Sequence, residues 1–169
     1  KSFALPVVFY LSEERDVARL RDLDPDRDLD AFRPGEFSWV AQTYLRLRAA
    51  GHPVELTATL PERALVVFHA KHKHALARAA RAAGATGDRR ELYFVAIRAD
   101  NSSPLLADFE VLQSGRFADG RTRFWIPFWP QPGLLPRDAA RGSTLTRVAY
   151  MGLIENVHPD FSGEAWRSA

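Results

Sequence analysis

Three histidines within six residues, His69-Ala70-Lys71-His72-Lys73-His74, form the densest group of side chains able to ligate a metal or move a proton. Their spacing argues against a metal. His72 and His74 are two apart, which places them on different faces of a helix. No acidic residue inside the cluster completes a ligand set, and Lys71 and Lys73 would repel a cation. A basic strand-to-helix turn that contacts a phosphate or a sugar hydroxyl is one reading, since a helix start favours anions. A solvated basic turn is the other. The run Asp22-Leu23-Asp24-Pro25-Asp26-Arg27-Asp28 has the look of a calcium loop, but Arg27 and Arg33 stand where Gly and Glu are required. Interleaved arginines make it a salt-bridged surface segment. Gly-rich phosphate loops and the Gly-x-Ser-x-Gly nucleophile elbow are absent from the chain. Any catalytic group must therefore be an isolated side chain, with no metal and no cofactor expected.

The elements that must position such side chains follow from apolar patterning. Ala4-Leu5-Pro6-Val7-Val8-Phe9-Tyr10-Leu11 is a short continuous apolar run, as a buried strand requires. Residues 12–34 are charged and aspartate-rich, with a loose apolar rhythm that predicts a loop carrying one or two short helices. Over residues 36–50, Phe37, Val40, Ala41, Tyr44, Leu45 and Leu47 make a stripe at helical spacing, with Gln42, Thr43, Arg46 and Arg48 mostly off it. Gly51 should end that helix. Strands are predicted over residues 54–57, 64–69, 91–97, 108–112 and 123–126, and a second helix over 71–83 ending at Gly84. Strands alternating with helices imply an α/β fold: a Rossmann-like, mostly parallel sheet with helices on both faces. The runs at Val7 to Phe9, Leu65 to Phe68 and Tyr93 to Ala96 should be its buried central strands.

Such sheets bind ligands beyond the C-terminal ends of their strands. That rule selects residues 12–15, 69–74, 98–103 and 113–116, and within them Glu13, His72, Arg98, Asp100 and Gln113 as candidate substrate-binding residues.

The chain has 169 residues, 46% of them hydrophobic and 26% charged, an ordinary globular balance for one domain or one domain plus a fragment. A net charge of +2 is too small to argue for nucleic acid. With no cysteine, disulfides and thiol nucleophiles are excluded, which fits a cytoplasmic location. No apolar run approaches the roughly 20 residues that span a bilayer. The first residue is Lys1, so the natural start is expected upstream.

Residues 124–138 carry four prolines and two tryptophans: Phe124-Trp125-Ile126-Pro127-Phe128-Trp129-Pro130-Gln131-Pro132-Gly133-Leu134-Leu135-Pro136-Arg137-Asp138. Proline fixes φ, removes donors and extends the preceding residue, so this is a rigid crossing, with Trp125 and Trp129 expected to pack on the domain. Arg147-Val148-Ala149-Tyr150-Met151-Gly152 follows as a short strand running into glycine. The wording Trp-Pro-Gln-Pro-Gly-Leu-x-Pro-Arg-Asp, then Arg-Gly, then Val-Ala-Tyr-x-Gly resembles the lobe junction of GT-B-type bacterial glycosyltransferase-like proteins linked to surface polysaccharides. The resemblance is specific between Trp125 and Trp166.

The resemblance implies an acceptor-side lobe over residues 1–144, including the crossing, and a truncated start of a donor-binding lobe over 145–169. It implies transfer of a sugar from a nucleotide-sugar donor, held mainly by the missing second lobe, to a glycan or lipid-linked acceptor. The location implied is the cytoplasm, with peripheral contact at the inner face of the membrane as an option. An inverting enzyme of this kind takes its base from the first lobe, where Glu13, Glu36, His69 and Asp100 are candidates; Glu36 and His69 are the catalytic choices. Arg137, Arg141, Glu155 and Asn156 would flank the cleft between lobes, with Arg137 able to hold a phosphate bidentately. Two rivals stay open: a non-catalytic α/β domain that binds a ligand or partner, and a sugar-nucleotide epimerase-like enzyme.

Overall fold

The computed structural model describes residues 5–84, 91–99, 106–129 and 138–143. Among the described residues six strands form one all-parallel sheet: β1 (Val7–Tyr10), β2 (Val54–Thr57), β3 (Arg63–His69), β4 (Glu91–Ile97), β5 (Phe109–Leu112) and β6 (Arg123–Trp125). Their order is β2-β1-β3-β4-β5-β6. The fold is α/β and Rossmann-like, and the strand order reverses direction between β1 and β3, where open parallel sheets form their ligand crevice.

Helices cover both faces. On one side lie α1 (Glu14–Leu20), a 3-10 turn Leu29–Phe32, a π-helix Phe37–Ala41 and α2 (Gln42–Ala49), all contributing to a core with Phe9, Leu56, Ile97 and Val111. On the other lies α3 (Lys73–Ala82), which sets Leu76 and Ala80, four apart, against Val8, Val66, Phe68 and Phe94. Parallel strands buried on both faces are read from unbroken apolar runs, and β1 and β3 obey. β4 departs from that expectation in its first half: Tyr93 is 41% exposed while Leu92 and Phe94 are buried. The helices on the Tyr93 face pack against the C-terminal half of β4, through Val95 and Ile97, and leave its beginning open.

Two connections shape the site. From β2 to β3 the chain passes β1 in only residues 58–62, without a helix, and Leu60 lays its side chain on the α3-side core. From β1 to β2 it needs more than forty residues, which carry α1, the 3-10 turn Leu29–Phe32, the π-helix and α2. That segment ends in a Schellman motif: Gly51 has φ 84, its N–H donates to the Arg48 carbonyl, and the His52 N–H donates to that of Leu47.

The π-helix is the local feature with most consequence. The Gln42 N–H donates five residues back to the Phe37 carbonyl, so the turn is wider than an α-turn. More consecutive residues then face inward: Trp39, Val40, Ala41 and Gln42 are all buried. The regular helical spacing had placed Gln42 off the apolar stripe, and the structure corrects this, since Gln42 is 1% exposed.

The chain divides into two compact units, Lys1–Leu134 and Leu135–Ala169. In the second, the described residues form a 3-10 turn, Ala139–Arg141, capped by the Asp138 carboxylate, which accepts the Ala140 N–H at 2.8 Å. The expected strand near Gly152 lies outside the described residues.

Candidate functional site

Four side chains from three segments meet at the C-terminal ends of β1 and β3. Glu36 precedes the π-helix, which opens where the Pro34 carbonyl accepts the N–H groups of Phe37 and Ser38. Its carboxylate is ion-paired with Lys71 Nζ, although the two are 35 residues apart in sequence. Lys71 belongs to the 3-10 turn Ala70–His72 that follows β3. In the same turn, His72 Nδ1 lies 2.9 Å from the Ser12 hydroxyl at the end of β1. Glu36 is 8% exposed, whereas the Lys71 side chain is 59% exposed, so the cation reaches in from solvent to a buried anion.

The electrostatics follow from that asymmetry. Burial pushes the Glu36 carboxyl up, but the Lys71 hydrogen bond, its own backbone N–H and the Lys71 and His72 charges outweigh it, leaving the carboxyl below its ordinary range. His72 moves down as well. Burial is the main cause and Lys71 adds to it, while Glu36, Asp16 and Glu13 pull the other way. His72 is therefore neutral near pH 7, with one ring nitrogen engaged with Ser12. The other, Nε2, is buried without a hydrogen-bond partner. An ionised carboxylate, a neutral imidazole and a hydroxyl within one cluster can accept, hold and pass a proton.

The sequence-predicted residues divide into groups. Glu36 and His72 come together. His69 is the last residue of β3, 4% exposed, and its Nδ1 accepts the Lys71 N–H at 3.3 Å, capping the turn. With Nδ1 accepting, the neutral ring carries its proton on Nε2. Glu13 is exposed at the start of α1. Arg98 is paired with Glu110 on the neighbouring strand at 3.2 Å. Gln113 lies after β5, apart from the cluster, and lines the cavity described below. Asp100, Arg137, Glu155 and Asn156 lie outside the described residues. The three histidines of the opening motif go separate ways, with His69 buried, His72 half-buried and His74 exposed. Among the described residues no group of three metal-binding side chains converges. The aspartate-rich run is a salt-bridged surface segment: Arg48 holds Asp22 at 2.8 Å, Arg46 holds Asp26 at 2.7 Å, and Arg27 is 3.5 Å from Asp24.

Sequence reasoning did not single out Ser12 and Lys71. Ser12 carried a weak signal, being the first polar residue after the apolar run of β1. Lys71 counts in the sequence as a charge hostile to metals and as part of a basic turn, with no signal of a pairing to Glu36.

A cavity of about 710 Å³ opens beside this cluster, between the π-helix, the 3-10 turn Leu29–Phe32 and the ends of β5 and β6. Trp39 and Phe128 form part of its wall, with ring centroids 4.5 Å apart and planes tilted by 56°. The crossing segment is pinned here: Trp129 Nε1 donates to the Thr43 hydroxyl at 2.8 Å, which in turn donates to the Trp39 carbonyl at 2.6 Å. Trp125 does not pack as expected. It is 53% exposed on the edge strand, held by one bond from Nε1 to the Gln113 carbonyl.

Among the described residues no helix is long and apolar enough to cross a membrane. No protein-family profile, curated protein or solved structure matches this chain.

Proposed function

We propose that the chain is the acceptor-side part of a sugar-transferring enzyme, in which the cluster at the ends of β1 and β3 handles the proton of an acceptor hydroxyl. The observation that carries this reading is the meeting of Glu36, Lys71, His72 and Ser12 at the point where the strand order reverses. The resemblance of the proline-rich crossing to a GT-B lobe junction supports it from the sequence side. Glu36 is the group to receive the proton. Lys71 holds it ionised and, being largely solvent-exposed, can swing away to free it. His72 sits beside it as a neutral relay. His69, with Nδ1 already committed, serves as the cap that orients Lys71. The nucleotide-sugar donor contacts residues outside the described part, and the acceptor is a glycan or lipid-linked glycan.

A second reading has a specific observation in its favour. A general base works best with an affinity for protons near the operating pH, and Glu36 is displaced away from it. The same cluster in a non-catalytic domain would simply hold ligand hydroxyls. Calorimetry of the full-length protein with a panel of nucleotide-sugars, followed by mass analysis of an offered glycan acceptor, separates the two. A glycosylated product supports transfer. Absence of any nucleotide-sugar binding removes it and leaves the binding domain. Release of an altered sugar-nucleotide without a glycosylated product points to epimerase-like chemistry.

A further inference from the structure

The cavity beside the cluster contains an unexplained group. Gln42 lines it and is 1% exposed, yet its Nε2 has no hydrogen-bond partner. Buried amide donors are almost always satisfied, because an orphaned one loses its water without compensation. Gln42 is turned inward by the π-helix, a local irregularity that recurs at functional sites. Two features thus fall at one place, a widened helical turn and an unpaired amide donor on a side chain that lines the cavity.

The remaining wall chemistry narrows the occupant. Trp39 and Phe128 offer an apolar, aromatic surface. Gln113 adds a second amide. At the rim, Asp30 and Arg33 are paired at 2.6 Å and stay mostly in solvent, so together they add no net charge. A donor seeking an oxygen, an aromatic surface seeking C–H groups and an electrically balanced rim fit one chemical class. That class is a neutral sugar ring, which carries hydroxyls at its edge and C–H bonds on its faces.

We propose that this cavity holds a neutral sugar ring of the acceptor glycan, with Gln42 as hydrogen-bond donor to a hydroxyl or ring oxygen. The proposal rests on the sugar-transfer reading for the word acceptor, but sugar binding itself is independent of it. Gly35, which lines the cavity, is the chain neighbour of Glu36, so an acceptor that reaches both places is longer than one ring. The acceptor is then an oligosaccharide and not a monosaccharide.

The test uses the full chain, maltotriose, cellotriose and chitotriose as probes, and saturation-transfer NMR as the readout. Wild type is expected to give transfer to the ring protons of at least one trisaccharide. Gln42→Leu is expected to weaken that binding about tenfold or more, the scale of a lost buried hydrogen bond. The same variant should keep or raise the urea midpoint, since it removes an unsatisfied donor while preserving volume. Three results overturn the proposal: none of the three probes binds, Gln42→Leu binds as wild type does, or Gln42→Leu lowers the urea midpoint and so shows the amide to be structural. The two readings fail separately. Sugar binding without nucleotide-sugar turnover in the full-length protein removes transfer and keeps the cavity. Turnover with unchanged acceptor KM in Gln42→Leu removes the cavity and keeps transfer.

Discussion

Glu36 and Asp119 are both carboxylates held below their usual range, and they get there by opposite routes. Asp119, in the loop before β6, faces solvent and accepts three backbone N–H groups, from Arg121, Thr122 and Arg123, at 2.8–2.9 Å. Arg123 Nε adds a fourth contact at 3.0 Å. Those backbone donors, Arg123 foremost, account for the depression, and burial hardly opposes it. Glu36 is buried, is opposed by that burial, and depends on one long side chain from another element. Every backbone donor to Asp119 lies in its own loop or at the first residue of β6, so the carboxylate has no backbone partner to exchange. The side chain that pairs with Glu36 belongs to another element and can leave. A perturbed carboxylate therefore marks a candidate site only when its stabilising partner is replaceable by a ligand.

The largest expected difference between the two is in turnover. If the transfer reading holds, Glu36→Gln in the full-length protein lowers kcat by about 10²–10⁴-fold with donor affinity unchanged, the scale of general base catalysis. Asp119→Asn leaves kcat within about twofold. Equal losses in both variants would break the comparison.

Stability should separate them next. Lys71→Met strands a buried anion. A fully buried broken pair costs about 3–5 kcal/mol. Lys71 is 59% exposed and solvent screens it, so about 1–2 kcal/mol is expected from urea unfolding at neutral pH. Lys71→Met should also bring the Glu36 carboxyl back toward its ordinary value, a change visible by NMR titration. An unaltered urea midpoint together with an unaltered titration would show that the ion pair does not hold Glu36.

A smaller effect comes with pH, and its sign is determined by the shifts. His72 is lowered from 6.5, so between its folded value and 6.5 the unfolded chain binds more protons. Stability contributed by neutral His72 is present above 6.5 and is lost as pH falls toward the folded value. Glu36, lowered from 4.5, adds a second loss at more acid pH, as its carboxylate is protonated. The urea midpoint is expected to fall from about pH 7.5 to about pH 5.5, and the fall should flatten in His72→Asn. A midpoint equally steep in His72→Asn would assign the slope to other groups.

The smallest effect belongs to the Asp119 loop. Asp119→Ala should speed amide exchange at Arg121, Thr122 and Arg123 while leaving Phe94 and Val66 protected, because the loop opens locally and not with the core. Uniform acceleration would show that the β6 edge is coupled to the whole sheet.

The sheet was largely legible from residue order. The runs of β1 and β3, and the glycines closing α2 and α3, are local signals, and φ values of 84 at Gly51 and 64 at Gly84 express the same chemistry. Tyr93 and Trp125 were misplaced because their exposure depends on which helix or strand reaches their level of the sheet, a tertiary fact. The candidate site was legible by position and not by partnership. Strand ends led to His69 and His72, and the search for a base in the first lobe led to Glu36, but Glu36 and Lys71 are 35 residues apart and Ser12 and His72 are 60 apart, distances at which no spacing rule operates. Gln42 was hidden for another reason. A π-turn and an α-turn draw on the same residue types, and only the extra residue in the turn tells them apart.

The position of β1 has a consequence for synthesis of the chain. β1 is paired on one side with β2 and on the other with β3, and both are made later. At roughly 5–20 residues per second on the ribosome, several seconds pass between the emergence of Val7 and that of Leu56. During that interval Val7-Val8-Phe9-Tyr10 has two open strand edges and no native neighbour, the condition under which nascent strands stick to one another. The charged run Glu13-Glu14-Arg15-Asp16 directly follows it and acts as a gatekeeper. Its charges then guard the strand before the helix that contains most of them has anything to pack against.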